Sequence, residues 1–120
     1  MSARYITTTL PYVNADPHIG FAVEILQADA LARAWRLGEE DVFFTTGTDE
    51  HGQKIFEAAQ KLAAQEGGKA GVQAYVDHYA GEVLKLKGAL SLSTDAFIRT
   101  TDPKHVAAAQ EMWRRCAAPK

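Results

Sequence analysis

The sequence predicts an α/β fold, a parallel β-sheet with covering helices, on three observations. Runs of β-branched and aromatic residues at 4–10 and 41–46 flank a long apolar helical stretch, the strand–helix–strand order of a βαβ unit. Each run ends in a turn rich in Pro, Gly, Asn or Asp that leads into another helical pattern. The chain has 120 residues, 47% of them apolar and 23% charged, which suits one globular domain over 1–120.

The elements follow in order. Arg4 to Leu10 (Arg-Tyr-Ile-Thr-Thr-Thr-Leu) has strand composition, and Pro11 to Pro17 breaks it. Asp16-Pro17 reads as a helix start, Asp as cap and Pro at the first helical position. The helix is expected over Pro17 to Leu37, stopping at Gly38. It is apolar almost all round (Ile19, Phe21, Val23, Ile25, Leu26, Leu31, Trp35, Leu37), which predicts cover on more than one side. Glu24, Gln27, Asp29 and Arg33 interrupt it and need partners or a cleft.

Asp41 to Thr46 reads as a buried parallel strand bounded by Gly47. Helices are expected over Gly52 to Gln65, ended by Gly67-Gly68, and over Lys69 to Leu90. Ala96 to Arg99 is a short third strand. Asp102-Pro103 repeats the cap-plus-proline start, for a last helix over Lys104 to about Ala117. No further strand follows, and the chain reads as cut short.

Charge and cysteine narrow the function. A net charge of −2 gives no bulk attraction to nucleic acid, so DNA is not expected as a partner and any RNA must be gripped locally. The single cysteine, Cys116, forms no internal disulfide and fits a reducing cytoplasm. No signal peptide precedes the first strand, and no apolar run approaches the roughly 20 residues of a membrane span.

The two strand-to-helix turns carry the chemistry. A loop that opens onto a helix N-terminus offers unpaired N–H groups and the positive end of the helix dipole to an anion. His18 falls in that first turn, and Gly20 leaves room for a phosphate or a flat ring to approach the backbone. Such a site suits a polyphosphate, whose reactions depend on positioning and electrostatics. The Asp49-Glu50-His51 run of the second turn could be misread as a metal site, but three adjacent residues seldom converge on one ion. Read alone, Asp49 is a turn-former or helix cap, and Leu10 and Tyr12 are packing residues at a strand end.

With these residues in view, the chain resembles the class I aminoacyl-tRNA synthetases. Their "HIGH" signature opens the first helix after the first strand and stands here as His18-Ile19-Gly20-Phe21. The preceding Leu10-Pro11-Tyr12-Val13-Asn14, the stretch from Phe43 through Thr46-Gly47-Thr48-Asp49-Glu50-His51-Gly52 to Ile55, and Phe97 to Val106 with Trp113-Arg114-Arg115 are similar to the methionine branch. The resemblance implies a Rossmann-like nucleotide-binding fold of which this is the first half. It implies a ligase that activates L-methionine with ATP to an adenylate and transfers it to methionine tRNA in the cytoplasm. His18, Ile19, Gly20 and Phe21 would meet ATP, with His18 on its phosphates as the catalytic residue. Leu10 and Tyr12 would line the amino-acid pocket, and Asp49 would meet the methionine ammonium. Mg²⁺ is expected only as ATP's companion, and zinc only in the family's inserted region, which would follow this segment.

Two departures stand out. The signature usually ends in a second His, and Phe21 cannot donate to a phosphate; where such a donor acts in a transition state its loss costs about 2–4 kcal/mol. The family's Lys-Met-Ser-Lys-Ser loop and its anticodon-binding helical domain do not occur in these residues. The 120 residues alone are therefore expected not to aminoacylate. Two other readings are a non-catalytic interaction module on the same fold and a small nucleotidyltransferase with a His-x-Gly-His turn. The latter should lack the Thr-Gly-Thr-Asp-Glu-His-Gly turn.

Overall fold

The computed structural model describes residues 3–65 and 71–117, so Gly67-Gly68 and Lys69 lie outside the described residues. Its element order is β1 (Ala3–Thr7), α1 (Ile19–Leu37), β2 (Asp41–Thr48), α2 (Gln53–Gln65), α3 (Val72–Ala89), β3 (Ala96–Arg99) and α4 (Pro103–Ala117). The three strands form one parallel sheet in the order β1-β2-β3. Ala3 to Thr7 pair with Asp41 to Thr45, and Thr45 to Thr48 pair with Ala96 to Arg99. This is the parallel α/β architecture that the pattern predicts.

Side-chain alternation sorts the sheet into two faces. Ile6, Val42, Phe44 and Phe97 point to the helix-covered face. There they join Phe21, Ile25 and Ala32 of α1, Val83 of α3 and Leu92 in one core cluster. A second cluster forms around Val13, Ile55 and Ala59 of α2, and Tyr75, Val76 and Ala80 of α3. On the opposite face Tyr5 and Phe43 stack with ring centroids 6.1 Å apart and remain 64% and 50% exposed.

Helix α1 is covered on one side, not on several. Phe21, Ile25 and Ala32 are buried, whereas Ile19, Val23, Leu26, Leu31 and Leu37 remain exposed. The apolar composition ran all round the helix, but the sheet and α3 meet only one stripe of it. Helix α4 has no buried residue at all, and Trp113 on it is 76% exposed.

Element ends differ from the pattern in ways that have physical causes. Strand β1 leaves the ladder at Thr7 because Thr9 is taken by α1: its N–H and hydroxyl both donate to the Glu24 carboxylate, at 2.7 and 2.8–2.9 Å. Strand β2 instead runs on to Thr48, through Gly47. A Cβ on Gly47 would lie 1.9 Å from the Ile98 carbonyl oxygen, so only glycine admits the close approach of β3. At the end of α1, Gly38 caps as expected but with φ −83°, and it is Glu39 that takes the left-handed conformation, φ 60°.

Two buried carboxylates tie the layers together. Asp29 of α1 accepts from Arg33 Nε at 2.6 Å and from the N–H and hydroxyl of Ser93 at 2.6 and 2.7 Å. Arg36, one residue before the end of the same helix, donates to Ser93, the Val42 carbonyl and Asp95. At the other end of the sheet the Glu50 side chain is fully buried beside Arg99. Arg99 grips it with a fork, Nε to Oε1 at 2.7 Å and a terminal nitrogen to Oε2 at 3.1 Å. The Thr48 hydroxyl donates to Oε1 at 2.6 Å and the Thr101 hydroxyl to Oε2. Arg99 also reaches Asp77 of α3 at 2.6 Å. The pair thus links β2, β3 and α3.

Burial alone would push both carboxyls up. For Glu50 the hydrogen bonds from Arg99, Thr101 and Thr48 and the Arg99 charge outweigh it, and for Asp29 those from Arg33 and Ser93 do, leaving both below their ordinary range.

Two outcomes are expected. Gly47→Ala should destabilise the chain by about 1–3 kcal/mol or more, because backbone rather than a pliable side chain must move; chemical denaturation measures it, and an unchanged midpoint would contradict the close packing. The depressed Glu50 and Asp29 carboxyls stabilise the folded state fully above their ordinary values of about 4.3 and 3.9 and lose that contribution as pH falls through the folded values. Urea midpoints should therefore drop steeply below about pH 4, and Glu50→Gln, less stable at pH 7, should flatten that drop.

Candidate active site

In open α/β sheets ligands bind at the carboxyl ends of the strands. Here that edge is formed by the 8–18 loop between β1 and α1 and by the 49–52 turn between β2 and α2. The two segments are joined by backbone. Tyr12 and Asp49 form a parallel bridge, with the Asp49 N–H donating to the Pro11 carbonyl at 3.0 Å and the Val13 N–H to the Asp49 carbonyl at 3.4 Å.

The long loop is held at several points. The Val13 side chain is fully buried in the second core cluster. The Tyr75 hydroxyl donates to the Asn14 carbonyl at 2.9 Å, and Glu24 clamps Thr9. Farther back the Thr8 and Thr46 hydroxyls meet at 2.7 Å. Anchored in this way, the loop presents Tyr12, half exposed, on the side away from Val13.

His18 ends the loop and caps α1. Its extended backbone and its side chain both serve: the Gly20 N–H donates to Nδ1 at 3.0 Å, and the N–H groups of Phe21 and Ala22 donate to the His18 carbonyl. The cap is therefore His18 rather than Asp16, and the helix begins at Ile19 rather than Pro17. An accepting Nδ1 carries no proton, so the hydrogen-bond network assigns the proton of the neutral ring to Nε2, which is left to act as a donor. Gly20 also has a specific reason to be glycine: a Cβ there would lie 2.8 Å from the imidazole.

Two cavities flank Tyr12. One, of about 220 Å³, is lined by Tyr12, Asn14, Asp16, His18 and Phe21 among others. The other, of about 210 Å³, is lined by Tyr12, His51, Gly52, Gln53, Lys54 and Ile55. Gly52 takes φ +134°, which lets the second turn fold back into α2. Among the described residues no group of three or more His, Cys, Asp or Glu could hold a metal ion, and no helix is long and apolar enough to cross a membrane.

The structure gathers some of the sequence-predicted residues and separates others. Tyr12, His18 and Phe21 line one cavity, and Asp49 sits beside Tyr12 through the backbone bridge. Asp49 is not a helix cap: α2 starts at Gln53, and among the described residues the carboxylate meets only the His51 N–H, at a long 3.5 Å. Leu10 is half-buried and lines neither cavity. The Ile19 side chain is 83% exposed and points away. Phe21 is 5% exposed and belongs to the core as well as to the cavity wall.

Three residues that hold the site were not singled out for this. The sequence asks only for a partner or a cleft at Glu24, offers Glu50 within a false metal site, and shows Arg99 only within a resembling stretch. Each is a charged residue in an apolar or strand context, which is the signal that would have found it.

Comparison with known proteins agrees with this geometry. The family model described as tRNA synthetases class I (M) matches residues 4–120. The methionine–tRNA ligase of Mycobacterium leprae is 45% identical over 118 residues, 98% of this chain and 21% of that protein. That of Thermotoga maritima is 47% identical over 107 residues, 89% of this chain and 16% of that protein. A structure of Mycobacterium tuberculosis methionyl-tRNA synthetase in complex with methionyl-adenylate superposes with a TM-score of 0.88 at 42% identity, covering 96% of this chain and 21% of that one. The chain thus spans about a fifth of the length of these relatives. A sheet edge with a histidine-capped helix, a Tyr12–Asp49 bridge and a family match over nearly every residue place this chain in one family: it belongs to the class I (M) tRNA synthetases.

Proposed function

We propose that residues 1–120 form the methionine- and ATP-binding first half of a methionyl-tRNA synthetase catalytic domain. The observation that carries this reading is the Tyr12–Asp49 bridge at the carboxyl edge of the sheet, beside the His18-capped helix. The whole enzyme's reaction is methionine activation. The methionine carboxylate attacks the α-phosphorus of ATP, a carboxyl O–P bond forms, and pyrophosphate leaves with the electrons of the broken P–O bond. A hydroxyl of the methionine tRNA's terminal ribose then attacks the acyl carbon of the adenylate, an ester bond forms, and AMP leaves with the electrons of the broken acyl C–O bond, in the cytoplasm where translation takes place.

The chain's residues divide this work. Asp49 supplies a carboxylate to the methionine ammonium, a charge-assisted pair. Tyr12 supplies an aromatic wall for the thioether, with Leu10 as its aliphatic neighbour in the loop. His18 donates Nε2–H to a phosphate oxygen while Nδ1 stays committed to the helix cap. Gly20 allows adenine and ribose close to the backbone, Ile19 contributes backbone only, and Phe21 closes the cavity floor. Mg²⁺ would accompany the ATP phosphates, whose oxygens suit a hard cation.

The test is binding of a non-hydrolysable methionyl-adenylate analogue to the 120-residue chain, followed by calorimetry and by amide shifts at Tyr12, His18 and Asp49. Saturable binding with shifts confined to those turns is expected, and its absence would overturn the reading. His18→Ala should weaken that binding tenfold or more and, by loss of the cap, lower stability by about 0.5–2 kcal/mol. Methionine-dependent ATP–pyrophosphate exchange by these residues alone is expected at background level, because they contain no Lys-Met-Ser-Lys-Ser segment. A rate above background would contradict that.

A further inference from the structure

We propose that Glu50 and Arg99 are positioning residues for the Asp49 carboxylate, and that the 99–101 turn after β3 works as the brace of the substrate site. The inference rests on the assignment of Asp49 to the methionine ammonium. It adds two residues that touch no substrate: Glu50, next to Asp49, and Arg99 at the end of β3.

The argument starts from alternation. Thr48 and Glu50 both point to the helix-covered face, where they are buried, so Asp49 between them points the other way, towards the side that Tyr12 shares. Which way Asp49 faces is thus decided by what holds Glu50. A buried carboxylate is costly unless fully paired, and here both of its oxygens are: Oε1 by Thr48 and Arg99, Oε2 by Arg99 and Thr101. The fork of Arg99 is planar and bidentate, so it fixes the plane of the carboxylate as well as its position. Asp77 of α3 accepts from the same terminal nitrogen that donates to Oε2.

The backbone repeats the same connection. The Glu50 N–H donates to the Thr100 hydroxyl at 2.8 Å, the Thr100 N–H to the Thr48 carbonyl at 3.3 Å, and a ring nitrogen of His51 lies 3.2 Å from the Thr100 carbonyl. The residues on both sides of Asp49 are therefore tied to one turn, while the Asp49 carboxylate, among the described residues, makes only the long contact to the His51 N–H. This leaves its carboxylate oriented by its neighbours yet open to a ligand. An ion pair serving the core alone would need none of these bonds around the substrate turn.

The test uses the 120-residue chain with three variants: Arg99→Met, Arg99→Lys and Thr100→Val. Amide hydrogen exchange at Glu50 and His51 is read against Phe44 in the central strand, together with L-methionine affinity from amide shifts and Tyr12–Asp49 Overhauser contacts. Exchange at Glu50 and His51 should rise tenfold or more in Arg99→Met with Phe44 unchanged. Arg99→Lys, which keeps the charge but not the fork, should recover only part of the protection. Thr100→Val leaves the ion pair intact and guards against a variant that does not fold; it should raise exchange at Glu50 and lower methionine affinity severalfold. A uniform rise that includes Phe44 in Thr100→Val, or no change in any folded variant, would overturn the proposal. Asp49→Asn separates the two readings. Loss of methionine binding with Glu50 and His51 still protected supports Asp49 as the contact, whereas a wild-type chain blind to methionine would sink that assignment while the exchange pattern and Tyr12–Asp49 contacts still decide the brace.

Discussion

Strand β2 is paired on both sides, and nearly everything at the site hangs from that fact. Its first half carries the core: Val42 and Phe44 are buried between the flanking strands and under α1. Its last residues lie between two loops that would otherwise be independent. On one side the Tyr12–Asp49 bridge continues the β1 pairing past the end of the strand, and on the other Thr100 and Thr101 continue the β3 pairing. A parallel sheet brings all its strand ends to one edge, so one central strand can register two turns against each other. Gly47 is the local requirement for this, since it lets β3 come close enough for Arg99 to reach Glu50.

The same sheet is built with one finished face. Helices α1 and α3 cover Val42, Phe44 and Phe97, while Tyr5 and Phe43 stack in the open. The principal extents, 55 × 47 × 19 Å, fit a single helix layer on a sheet, given helices about 10–12 Å across. All-parallel sheets ordinarily have both faces covered. That contrast agrees with a chain that matches about a fifth of each relative's length.

Much of this was legible in the sequence, and the reasons are local. β-branched runs, a proline at the start of α4 and Gly38 at the end of α1 act within a few residues of where they stand, so the elements came out in the right order and nearly the right places. The two turns that the resemblance singled out, with Tyr12, His18 and Asp49, do meet at one edge of the sheet, because their motifs are contiguous in sequence. What was not legible depends on partners distant in sequence. The apolar girth of α1 cannot say which stripe the sheet will meet. Thr9 belongs to the strand pattern until Glu24, fifteen residues on, withdraws it from the ladder. Glu50 and Arg99 are separated by 49 positions, and nothing near either one announces the other.

Phe21 shows how a departure from a family signature can be read once its surroundings are known. Taken as a row of letters, it is a missing donor at an anion site. In the fold its ring is 5% exposed, in the same cluster as Ile25, Phe44 and Val83, and only its edge of the cavity is open. An imidazole placed there would need a partner for any nitrogen turned inward, and a buried polar group left without one costs about 1–3 kcal/mol. Phenylalanine removes that demand and strengthens the packing beneath His18. On the proposed reading the phosphate is left to the imidazole whose tautomer the helix cap already sets: the Gly20 N–H donates to Nδ1, and the proton stands on Nε2. On that reading the side-chain donor function falls to a single residue beside the helix-end N–H groups, and phosphate binding should weaken with His18→Ala.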